Sequence, residues 1–119
     1  MKTLIQKLVE TKGPSGYENE IRQVIAHEIS GLGDEVKTDA LGNLIVRKGT
    51  TAKGGLKILM TAHMDEIGVI VTHIDDKGFA RFTNIGGVSP LTCIGGRVIF
   101  MNNARGVIAS ERLDDPSKA

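Results

Sequence analysis

Along the first 12 residues the apolar positions Leu4, Ile5, Leu8 and Val9 recur at helical spacing, and Gly13-Pro14-Ser15-Gly16 then supplies turn chemistry. This predicts a short amphipathic helix. Over 18–32, Ile21, Val24, Ile25, Ile29 and Leu32 form a single stripe that Gly31 and Gly33 end, predicting a second helix. His27 lies opposite that stripe and reads as a solvated surface histidine. Beyond Gly33 the period shortens. Val36 leads towards Leu44-Ile45-Val46 across a turn at Asp39 to Asn43, the pattern of a β-hairpin.

After a polar tip at 49–55, the run Leu56 to Ala62 carries Lys57 as its only charge. A run with Ile58, Leu59 and Met60 suits a strand buried on both faces beneath helices. From Ile67 onward no helical stripe recurs. Short strands are predicted at Ile67 to Ile74, Phe79 to Phe82, Val98 to Met101 and Gly106 to Ala109, separated by Gly-, Asp- and Asn-rich turns. The change of pattern near Glu66 divides the chain into an α/β part at 1–66 and a β-rich part at 67–119. At the far end, Asp115-Pro116-Ser117 has the signature of a helix start with only Lys118 and Ala119 after it. The expectation is an amino-terminal piece of a longer protein.

The chain has 119 residues and a net charge of +1, which gives no electrostatic reason to expect nucleic acid or an anionic membrane. Aromatics at 3% with no Trp also remove the stacking platforms of single-strand binders. Hydrophobics at 40% against 24% charged describe a folded chain rather than a disordered one. A lone cysteine, Cys93, cannot form an internal disulfide, so a reducing, cytoplasmic setting is expected. No apolar run approaches a membrane span, and Met1 to Gln6 lacks the apolar core of a signal peptide.

The chemistry concentrates in Ala62-His63-Met64-Asp65-Glu66-Ile67-Gly68. A strand ending in His-x-Asp delivers an imidazole at its carboxyl edge, where open α/β sheets place their sites. His63 is the candidate metal ligand. Asp65, two residues on, can accept the other ring N–H, fixing the tautomer and raising basicity. Ser15 lacks a Gly-x-Ser-x-Gly setting and reads as a turn residue near the cap of the second helix. The paired glycines match neither a phosphate loop nor a dinucleotide fingerprint, and no cationic neighbour activates Cys93.

The stretches Pro14-Ser15-Gly16-Tyr17-Glu18, Asp39-Ala40-Leu41-Gly42-Asn43-Leu44 and Ala62 to Gly68 occur in the order seen in the M42 metallo-aminopeptidases, and the whole chain resembles that family, which includes tetrahedral and glutamyl-type cytosolic enzymes. Ile74 to Phe79 and Gly106-Val107-Ile108 extend the likeness. The resemblance implies an α/β zinc-peptidase sandwich interrupted by a β-rich dimerisation domain, whose insertion would begin near Glu66. It implies hydrolysis of N-terminal residues from peptides, two divalent ions (zinc or cobalt) and a homo-oligomer. His63 matches the family's first ligand histidine, and Asp65 the acidic residue that orients it.

The family also uses a bridging Asp, a Glu-Glu pair, a further acidic ligand and a final His, all beyond the inserted domain. This chain has no Glu-Glu pair, and Asp75-Asp76 and Asp114-Asp115 stand in turn contexts. A cocatalytic centre holds two ions roughly 3.5 to 4 Å apart, which one imidazole cannot build. The isolated chain is therefore expected to be inactive and to need the remainder of the catalytic domain, or another chain, to complete a site. Two alternatives remain open on the residues: a non-catalytic assembly module, and a related zinc-dependent deacylase or hydrolase.

Overall fold

The computed structural model describes residues 1–50 and 54–110. Chain contacts divide it into two compact units between Gly68 and Val69. Both are built from short elements, and the class is α/β, with three separate two-stranded sheets among the described residues.

The first unit opens with α1 (Lys2–Glu10) and α2 (Asn19–Glu28). Leu4 and Leu8 are the half-buried members of the α1 stripe, while Ile5 and Val9 remain exposed. Lys7 Nζ reaches Glu28 Oε1 at 2.6 Å and ties the two helices together. On α2 the stripe turns inward at Ile21, which is 4% exposed and is the one buried hydrophobic side chain among the described residues. The helix closes earlier than the apolar stripe predicts. Ser30 N–H bonds to His27 O, and Gly31 follows at φ 76°, so Leu32 leaves the helical face and is exposed.

The hairpin forms as β1 (Glu35–Thr38) and β2 (Leu44–Arg47), antiparallel with Val36 opposite Val46 and Thr38 opposite Leu44. Its turn is organised by Asp39, whose carboxylate accepts the main-chain N–H of Leu41 and Asn43 and the side-chain amide of Asn43. Gly42 completes it at φ 89°, a conformation that favours glycine. Arg22 of α2 reaches this turn, donating from Nε to Gly42 O at 2.7 Å.

The buried strand expected at Leu56 to Ala62 is not present. No regular structure is assigned from 55 to 65, and Leu56, Ile58, Leu59 and Met60 are 78–89% exposed. An apolar run becomes a strand only when neighbouring strands take up its N–H and C=O groups, and no described residue pairs with these. The helix start expected at Asp115-Pro116 lies outside the described residues.

The second unit holds β3 (Gly68–Ile74), all but its first residue, with β4 (Ala80–Ile85), and β5 (Arg97–Ile99) antiparallel to β6 (Arg105–Val107). The link after β3 repeats the device of the first hairpin, with Asp75 Oδ1 accepting the N–H groups of Lys77 and Phe79. A short helix, α3 (Pro90–Cys93), interrupts the strands where none was expected. Its signal was present in Ser89-Pro90, an N-cap residue followed by proline at the first helical position.

Candidate functional site

The site is assembled in the first unit, where the loop after α1 meets the chain just ahead of β3. Pro14 and Glu66 form an isolated parallel bridge. Glu66 N–H donates to Gly13 O at 2.9 Å, and Ser15 N–H donates to Glu66 O at 3.3 Å. The Glu66 carboxylate adds a third tie by accepting Gly13 N–H at 3.2 Å. A turn from Tyr17 N–H to Pro14 O then leads the chain into α2. Glu18 occupies the N-cap of that helix, so the Ser15 hydroxyl in the turn ahead of it is free for other work.

Ser15 Oγ donates to Asp65 Oδ2 at 2.6 Å. The other oxygen of the same carboxylate, Oδ1, lies 3.2 Å from His63 Nδ1, and Asp65 O lies 3.0 Å from that nitrogen. Both groups facing Nδ1 are acceptors, so in the neutral ring the proton belongs on Nδ1 and the lone pair on Nε2. The hydrogen bond from Ser15, the largest cause, holds the Asp65 carboxyl below the usual carboxylate range against its partial desolvation, with the Asp65 main chain and His63 adding to the effect. The His63 side chain is 87% exposed and that of Asp65 40%. Solvent therefore reaches the ring freely.

The two residues singled out by the sequence, His63 and Asp65, are in contact with each other. The extended strand imagined to deliver them is absent, and the Pro14–Glu66 bridge positions them instead. His27 on α2 and His73 on β3 are both exposed. Cys93 at the end of α3 is half-buried with a free thiol. Among the described residues no group of three or more His, Cys, Asp or Glu is arranged to hold a metal ion. Sequence reasoning missed Ser15 as a partner of Asp65. Only the spatial bridge of Pro14 to Glu66 carries that relation, across 50 residues of chain.

The family profile of the M42 glutamyl aminopeptidases matches residues 42–114. The chain is 53% identical over 114 residues to a protein of Acetivibrio thermocellus that carries an aminopeptidase name, covering 94% of this chain and 33% of that one. Its fold superposes with a TM-score of 0.85 on the TET aminopeptidase of the marine sediment archaeon Thaumarchaeota archaeon SCGC AB-539-E09, at 30% identity over 98% of this chain and 33% of the other. A solved TET protein with a dodecamer in its asymmetric unit gives a TM-score of 0.79 at 37% identity, over 100% of this chain and 35% of that one. The chain thus spans about a third of the length of the relatives it matches. No helix among the described residues is long and apolar enough to cross a membrane. The profile match and the agreement in sequence and fold lead to one conclusion: this chain belongs to the M42 glutamyl aminopeptidase family.

Proposed function

We propose that this chain is the amino-terminal part of a metal-dependent aminopeptidase that removes N-terminal residues from peptides, and that it supplies His63 as one metal ligand and Asp65 as the residue that orients it. The observation that carries this reading is the state of the imidazole: Nδ1 faces two acceptors of Asp65, and the ring is 87% exposed. Nε2 is the atom left to bind a cation, and the carboxylate behind the ring orients it. The donor set fits one position of a zinc or cobalt centre. Among the described residues no group of three or more His, Cys, Asp or Glu gathers to hold a cation, and the remaining ligands are assigned to the rest of the catalytic domain or to another chain.

With His63 as one ligand and the remaining ligands supplied from outside this chain, a site holding two divalent ions would supply Lewis-acid polarisation of a peptide carbonyl and an acidified water. This chain's own part is to fix the ligand: Asp65 keeps the proton on Nδ1, and the Gly13–Ser15 loop keeps Asp65 in place. The β-rich residues 67–119 are assigned as the first part of an inserted dimerisation domain. The division of contacts between Gly68 and Val69 and the dodecameric TET relative support that assignment and a homo-oligomer. A cytoplasmic location goes with the single cysteine.

The test compares the full-length protein with its His63→Ala variant. Wild-type protein is expected to bind zinc or cobalt and to hydrolyse aminoacyl p-nitroanilides, while His63→Ala loses metal by mass spectrometry and loses turnover. A variant with unchanged metal content and rate would overturn the assignment.

A further inference from the structure

The His63 ring is 87% exposed, so packing contributes little to its orientation and hydrogen bonds must set it. Those bonds come from Asp65, whose carboxylate is itself 40% exposed and would turn about its terminal torsion if only one oxygen were engaged. Its second oxygen is engaged by Ser15 Oγ at 2.6 Å, the shorter of the two side-chain contacts the carboxylate makes. Ser15 is in turn immobilised through the main chain, by Ser15 N–H to Glu66 O and by both Gly13 contacts to Glu66.

We infer that Ser15 is a positioning residue for the metal ligand: its hydroxyl locks the Asp65 carboxylate so that the carboxylate holds the His63 imidazole with Nε2 presented to the cation. This deepens the functional reading above and rests on His63 being a ligand. The Asp65 main-chain carbonyl, 3.0 Å from Nδ1, keeps the tautomer on its own. Ser15 therefore governs how firmly the ring is held rather than which nitrogen carries the proton. Loss of such an outer partner typically costs about 10 to 100-fold in metal affinity.

The experiment is zinc binding to the full-length protein by competition with a chromophoric chelator, together with the imidazole 15N signals of His63 in the metal-free protein. Ser15→Ala is expected to weaken zinc binding by about 10 to 100-fold and to broaden or shift the His63 signals. Ser15→Thr, which keeps the hydroxyl, should remain near wild type in both readouts. Ser15→Cys is nearly isosteric and a weak donor, so it should behave like Ser15→Ala even if the alanine variant fails to fold. Wild-type affinity and unshifted 15N signals in the Cys variant would overturn the inference while leaving the metal reading intact, provided His63→Ala still abolishes binding. Zinc binding undiminished in His63→Ala would remove the metal reading, and the inference with it.

Discussion

The Cγ2 methyl of Ile21 stands 2.5 Å from where a Cβ on Gly13 would lie, and Ile21 Cβ only 3.1 Å from it. The glycine is therefore required by contact with the one hydrophobic residue buried among the described residues rather than by its own backbone angles. A β-branched side chain cannot swing clear, so Gly13→Ala must displace either α2 or the 13–15 loop. It is expected to destabilise the protein by about 1 to 3 kcal/mol, read as a lower urea midpoint. Because the loop carries Ser15, zinc affinity should fall as well. Unchanged stability would show that the loop shifts without cost.

Arg22 joins α2 to the hairpin turn through Nε to Gly42 O at 2.7 Å, and its Nη1 donates to Asn19 Oδ1 at 2.6 Å. Its side chain is 16% exposed, which limits replacement of these bonds by water. Arg22→Ala should cost about 1.5 to 3 kcal/mol, the range for hydrogen bonds to a charged group. Arg22→Lys should restore little of it, because an ammonium cannot reproduce the planar fork. Full recovery by lysine in a denaturant melt would contradict this account.

Asp39, Glu28 and Glu35 all have carboxyls held below the usual carboxylate range. The main causes are the Asn43 side chain for Asp39, Lys7 for Glu28 and Arg47 for Glu35. A depressed folded-state pKa stabilises above the unfolded value and loses that contribution as pH falls through the folded one. Stability should accordingly decline between about pH 5 and pH 2. Asp39→Asn should lower stability at pH 7 and flatten that acid slope, since its amide would set a donor against the Asn43 amide. Urea melts at pH 7 and pH 3.5 measure both effects, and an unaltered slope would remove Asp39 from the explanation.

In the full-length protein, Asp65→Asn is expected to retain more metal than His63→Ala while slowing hydrolysis by about 10 to 100-fold. The amide can still offer an oxygen to Nδ1, but it loses the carboxylate charge behind the ring. Metal content and rate measured in parallel check the split. Equal metal loss in the two variants would show that Asp65 does more than orient the ring.

A polypeptide limited to residues 1–119 should self-associate or be partly unfolded. Leu56, Ile58, Leu59 and Met60 lie 78–89% exposed, and Ile21 alone is buried among the described hydrophobics, too little to offset the entropy of ordering. Light scattering with a urea melt tests this: a monodisperse monomer with one cooperative transition would refute it.

What could be read in the sequence was local. The helices, the Asp39 turn and the strand pairs follow from spacing and turn chemistry within a dozen residues, and α3 was missed only because Ser89-Pro90 opens a helix too short to show a stripe. The run at Leu56 to Ala62 was misread as a strand because composition reports the hydrophobicity of a segment and not whether partners exist to pair with it. His63 and Asp65 were legible as neighbours two positions apart. Ser15 was not, since its role arises from a contact that no local pattern encodes.

The bridge from Pro14 to Glu66 also dictates an order of events. Helix α2 and the hairpin can form from contacts between nearby residues, whereas Ser15 reaches Asp65 only after a loop of 50 residues has closed. Closing such a loop costs roughly 3 to 4 kcal/mol of chain entropy before any contact repays it. The Ser15 grip on the Asp65 carboxylate is thus a late acquisition in folding: the helices and the hairpin need no such closure, and the contact that spans 50 residues lags behind them.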